Sequence, residues 1–129
     1  MPIADMKNLK RLQRIDETEL VKYQDHYSEP RFWNKMKRFA AKLGGEVCYY
    51  LLVLYYALQS SETTLRNKAL ILGALGYFIL PVDLIPDFIP ALGITDDIAA
   101  ITIAFKAIID SVTPEVKARA AAKKLEWFR

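Results

Sequence analysis

Apolar positions recur along most of this chain at the three-and-four spacing of a helix, and the strict alternation of a strand is nowhere sustained. The stretch RFWNKMKRFAAKL places Phe32, Trp33, Met36, Phe39, Ala40 and Leu43 on one face, with Arg31, Lys35, Lys37, Arg38 and Lys42 on the rest. Ser28-Glu29-Pro30 reads as its start, because proline is tolerated in a first turn. Gly44-Gly45 reads as its stop. The following EVCYYLLVLYYALQSS is apolar all round, the pattern of a helix buried on most sides or set in lipid. ETTLRNKALILGALGYFIL predicts a third helix ending at Pro81, in which Ala69, Gly73 and Gly76 put small residues on neighbouring turns and permit close approach of another element. Gly93 to Thr95 reads as a break. Thr95 is then the cap of a helix with Asp96 and Asp97 in its first turn and Ile98, Ile101, Phe105 and Ile108 as its apolar stripe. Thr113-Pro114-Glu115 begins a last helix, and Asp16 with Glu19 forms a capping pair for a short polar one toward His26. The expected fold is therefore all-α: a compact bundle of about five helices in a single domain over 1–129. Residues 1–45 form a basic amphipathic N-terminal region, and Pro81, Pro86, Pro90 and Gly93 make a Pro/Gly-rich corner at 81–95.

Composition sharpens this picture. A chain of 129 residues, 53% hydrophobic, is long enough for a real core. Its single cysteine, Cys48, rules out an internal disulfide and a cysteine-based zinc site, which suits a reducing compartment, and no export signal is read at the start. The net charge of +3 conceals an asymmetry. Residues 1–68 hold 12 Lys/Arg against 8 Asp/Glu, and residues 106–129 hold 6 against 3. Between them, residues 69–105 contain no Lys, Arg, His or Glu, and their only charges are Asp83, Asp87, Asp96 and Asp97.

Asp83 and Asp87 open the two halves of a near-duplicate, DLIPDFIP at 83–90, and Asp96 and Asp97 follow it. Three chemistries suit them. Each could cap a helical turn through its carboxylate oxygen. They could meet Arg66, Lys68, Lys106 or C-terminal cations in a polar network that fixes the helix arrangement. Or, since clustered carboxylates repel unless neutralised, they could hold a hard divalent cation such as Mg²⁺, Mn²⁺ or Ca²⁺. Backbone caps and protein cations are favoured, because no Glu, Asn or His stands nearby to complete a metal shell.

Tyr77, then LPVDLIPDFIP at 80–90, Leu92-Gly93 and Asp96-Asp97, resembles the signature of the YkvA-like family, a small bacterial domain of unknown function. The resemblance covers about 66–106, a signature core, and Ile94-Thr95 departs from the residues frequent there. It implies a helical, membrane-associated protein with no established activity. Some members carry the domain beside a RING finger and membrane spans, which implies interaction rather than catalysis. It implies no metal ligands.

For the membrane, the uncharged runs Val47–Ser61 and Ala69–Val82 are shorter than the roughly 20 residues a spanning helix needs. Arg31–Leu43 has the form of an interfacial anchor, with Trp33 and Phe residues on one face and only positive charge opposite; Tyr49, Tyr50, Tyr55 and Tyr56 suit an interface too. The alternative for both is an ordinary core helix. Catalysis has little support. His26 is the sole histidine and stands outside the acidic motif, Cys48 reads as an inert buried thiol, and no nucleophile triad, phosphate loop or HExxH occurs. No nucleic-acid module is present. The expected role is an interaction or structural module on the cytoplasmic side of the membrane. There Arg31, Trp33, Lys35, Lys37, Arg38 and Lys42 would face anionic lipid or a partner protein. The alternative is a divalent-metal protein or metal-dependent hydrolase built on the four aspartates.

Overall fold

The computed structural model describes residues 17–79 and 90–128, with the side chains of Glu19 and 90–97 left aside. In chain order the elements are α1 (Glu17–Val21), a 3₁₀ turn (Gln24–His26), α2 (Glu29–Gln59), α3 (Leu65–Ile79), α4 (Pro90–Ile108), a second 3₁₀ turn (Ile109–Ser111) and α5 (Pro114–Trp127). No strand occurs among the described residues, so the fold is all-α.

α2 is a hairpin. Gly44 interrupts it at φ 84°, ψ 164°, a conformation that β-carbon sterics deny to other residues. In a straight helix Phe32 and Tyr55, 23 positions apart, would lie about 35 Å from each other. Their rings instead stack at 5.2 Å, and Trp33 meets Tyr55 edge-on at 4.8 Å. Nearer the bend, Cys48 Sγ lies 3.6 Å from the Ala40 carbonyl, and at the open end the Tyr55 hydroxyl donates to Glu29. The first arm (29–43) and second arm (45–59) therefore run antiparallel, and the stop expected at Gly44-Gly45 is a one-residue turn. Among the described residues, counted along the backbone, there are four long helices rather than about five. The difference is this hairpin, whose arms join through a single glycine.

The second arm is the axis of the bundle. Leu51, Leu52, Val53, Leu54 and Tyr55 are consecutive and all buried, so neighbours cover every side of the helix. The first arm meets it through Phe32 on Tyr55, α4 through Phe105 on Tyr50 and α5 through Arg119 on Tyr56, and α2 as a whole also packs on α3. Small residues on α3 do what their spacing predicts. A β-carbon at Gly73 would overlap the Leu20 carbonyl, and one at Gly76 the Tyr23 carbonyl, so the segment leaving α1 crosses α3 backbone to backbone. Helix ends follow the expected chemistry in part. Thr113 accepts the Val116 amide at 3.2 Å, and Thr64 accepts that of Asn67 at 3.1 Å. Ser28 stands at the N-cap of α2 with Pro30 in the first turn, but its side chain makes no cap bond.

The corner expected at 81–95 is corrected at its C-terminal side. α4 begins at Pro90 and runs unbroken through Gly93 and Thr95. Proline is preorganised for a helix start, and the roughly 1 kcal/mol that an interior glycine costs is too little to break a helix anchored by Ile101 and Ile108 in the core. Thr95 is thus no N-cap. Asp96 and Asp97 stand about two turns inside α4, beyond the first turn in which a carboxylate complements the helix dipole. Pro81 and Pro86 lie outside the described residues, as does Asp16 of the expected capping pair.

Candidate docking surface

The first arm of α2 buries its apolar face in its own protein. Phe32 and Met36 have no exposure, Leu43 is buried, and Trp33, Phe39 and Ala40 are half-buried against the same core. Trp33 is enclosed by Phe32 at 4.9 Å, Tyr55 at 4.8 Å and Trp127 at 6.1 Å, with the Lys123 ammonium over its ring. The expectation that Trp33 serves as an interfacial anchor is therefore corrected: its ring joins the hairpin to α5, because aromatic area gains more from the packed seam than from solvent. The tyrosines are likewise seams within the bundle. Tyr50 stacks on Phe105 of α4 at 4.0 Å and donates to Glu46 at 2.6 Å, and Tyr56 carries the Arg119 guanidinium at 4.7 Å.

Lys35 is also withdrawn from the outer surface. Its ammonium donates to the Phe78 carbonyl in the last turn of α3 and lies 4.8 Å from the Phe78 ring. A cation at a helix C-terminus satisfies a carbonyl that has no intrahelical partner and complements the dipole. Lys35, Arg38 and Lys42 together ring Phe39 at 5.9, 5.6 and 5.8 Å, which steadies the heads of Arg38 and Lys42 while leaving them exposed.

From 31 to 43 the exposed positions are Arg31, Asn34, Lys37, Arg38, Ala41 and Lys42. This outer side holds four cations and no acid. On its Lys37–Ala41 side it meets the end of α5 in an open depression of about 540 Å³, lined by Lys37, Ala40, Ala41, Glu126, Trp127 and Phe128. Leu125 and Phe128, 63% and 38% exposed, stand at this end of α5, and Lys123 pairs with Glu126 at 3.1 Å. The sequence reading missed these hydrophobics. The signal was present: LEWF at 125–128 puts Leu125 and Phe128 on one side of a helical turn and Trp127 on another, more apolar surface than one buried face can take.

Of the acidic motif, Asp83 and Asp87 lie outside the described residues, and for Asp96 and Asp97 only the helical backbone is described. No group of metal-ligating side chains occurs among the described residues. Cys48 is fully buried, and burial pushes its thiol up to about 11, as an inert core cysteine requires. His26 is exposed at the end of the first 3₁₀ turn. Among the described residues no helix is long and apolar enough to cross a membrane.

Residues 67–103 match the model of a family described as a protein of unknown function (DUF1232). That stretch nearly coincides with the 66–106 of the YkvA-like resemblance and supports its coarser content, a small domain without assigned activity; the YkvA-like name itself is not part of the match. No curated protein and no solved structure matches the chain.

Proposed function

We propose that this protein is a non-catalytic helical docking module that attaches peripherally to an anionic membrane surface through the outer side of the first arm of α2. One observation carries the reading. Arg31, Lys37, Arg38 and Lys42 are exposed together on a rigid arm whose residues 31–43 contain no acid, while the apolar face of the same arm is committed to the core. Such an arm meets lipid by charge and leaves the fold intact, which separates it from an amphipathic helix that turns its apolar side into the bilayer. The acidic stretch of the chain lies elsewhere in sequence, so the field of this face is not cancelled along the arm.

The test is sedimentation of the full chain with vesicles of phosphatidylcholine, with and without phosphatidylserine. Wild type should bind only the anionic vesicles and be released in part by salt. Reversing Lys37, Arg38 and Lys42 to Glu should abolish binding. Even neutralising them, at about 1 kcal/mol for each cation near the surface, should weaken it about a hundredfold. Lys35 is left in place because it holds the end of α3. Equal binding by wild type and the reversed variant overturns the reading.

A further inference from the structure

We infer that the end of α5 is the hydrophobic half of the same membrane contact, with Leu125 and Phe128 entering the acyl-chain boundary of an anionic bilayer beside the basic arm. This rests on the docking reading above and adds a second element to it, from the opposite end of the chain.

Three observations converge. First, among the described residues the large hydrophobics with substantial exposure are Leu65, Leu125 and Phe128. Leu65 stands singly at the start of α3, as isolated surface hydrophobics do. Leu125 stands in the last turn of α5 and Phe128 is its C-cap three positions on, so two exposed apolar side chains occur at one helix end. Second, that patch adjoins the basic arm. Phe128 and Trp127 share the depression with Lys37, Ala40 and Ala41, so the apolar tip and the acid-free cationic side open on one region of surface. Third, the rim has the chemistry of a headgroup layer. Lys37 lines the depression itself, and Lys42 and Arg38 stand exposed on the same arm. Glu126, the acid in the lining, is paired with Lys123 at 3.1 Å. An apolar tip beside a cationic arm fits a bilayer whose interior is hydrocarbon and whose surface is negative. A single myristoyl-sized anchor binds only marginally, and two modest signals acting together make a stable attachment; here the two signals are charge on α2 and exposed side chains on α5.

Binding should also be visible from within, because Trp127 lines the same depression as Phe128. We therefore expect Trp fluorescence to shift to shorter wavelength on phosphatidylserine-containing vesicles and to be quenched by lipids brominated near the headgroup end of their chains. Changing Leu125 and Phe128 together to Gln, which leaves charge untouched, should weaken vesicle binding by about tenfold or more, given the area of the two side chains. It should remove the quenching and leave the thermal melt nearly unchanged, since both side chains are exposed. The Lys37/Arg38/Lys42 reversal separates the two proposals. If that reversal abolishes binding but the Gln pair binds like wild type without loss of quenching, the α5 inference is overturned and the electrostatic reading stands. If neither change matters, or wild type does not bind, both are overturned.

Discussion

The two arms of α2 are of equal length, are joined through one glycine and touch each other, yet they have opposite fates. In sequence both carried membrane character, the first as a basic amphipath and the second as a helix apolar on every side. The structure makes the second arm the buried axis, with Leu51 through Tyr55 enclosed, and the first arm a lid over one side of it that keeps its cations outward. An all-apolar helix in a small protein therefore needs only enough neighbours to surround it. The first arm is one of those neighbours, supplied by a one-residue turn at Gly44. Aromatic side chains such as Phe32 and Trp33 are what that task requires, so their presence on an amphipathic helix is not in itself a sign of lipid.

The largest test of this contrast is a deletion of volume. Leu54→Ala in the second arm should destabilise by roughly 2–5 kcal/mol, the range for a fully buried leucine. Lys37→Ala in the first should move stability by no more than about 0.5 kcal/mol. Urea melts of the two variants measure both. Similar losses would mean that the arms do not divide into axis and surface.

A smaller effect is expected at the bend. Gly44→Ala meets no atom within 4 Å of the new β-carbon, so its whole cost is the backbone conformation, on the order of 1–3 kcal/mol. The loss should appear in the same melts with the helical circular dichroism preserved. An unchanged melting temperature would show that the arms are not held by a positive-φ turn.

The smallest effect is on pH. Burial holds the Cys48 thiol to about 11 against its ordinary 9.0, and holds the Tyr27 hydroxyl to about 12 against 10.0, with Glu29 adding to the latter. The unfolded chain gives up these protons first. It therefore binds fewer protons than the native state once pH exceeds about 9, and stability should fall from there upward. Melts between neutral pH and pH 11 check this. In the same range Cys48 should resist a thiol reagent that rapidly labels a Lys37→Cys variant. Fast labelling of native Cys48 would contradict its enclosure in the second arm.

Much of the architecture was legible from local chemistry. The helix starts at Ser28-Glu29-Pro30 and Thr113-Pro114-Glu115, the stop at Gly44-Gly45, and the small-residue stripe on α3 all depend on backbone preferences that a few neighbouring residues decide. Gly93 was misread for the same reason turned around. Local preference marked a break, but the apolar stripe of α4, packed in the core, outweighs one glycine. The docking surface was half legible. Its cations were visible because an acid-free run of charge is a property of sequence, whereas Trp33 and Lys35 were wrongly counted among the outward residues, since a helical face has no direction until its partners are known.

What this sequence determined by itself is the all-α class, the positions of most helix ends and the separation of charge into basic flanks and an acidic, apolar centre, because periodicity, capping and composition act over a few residues. Tertiary structure decided which amphipathic faces look inward, that Lys35 closes the end of α3, and that the tip of α5 comes to rest beside an arm some ninety positions earlier in the chain. Those outcomes depend on contacts between segments far apart in sequence, and the free energy that selects among them exists only once the surfaces meet.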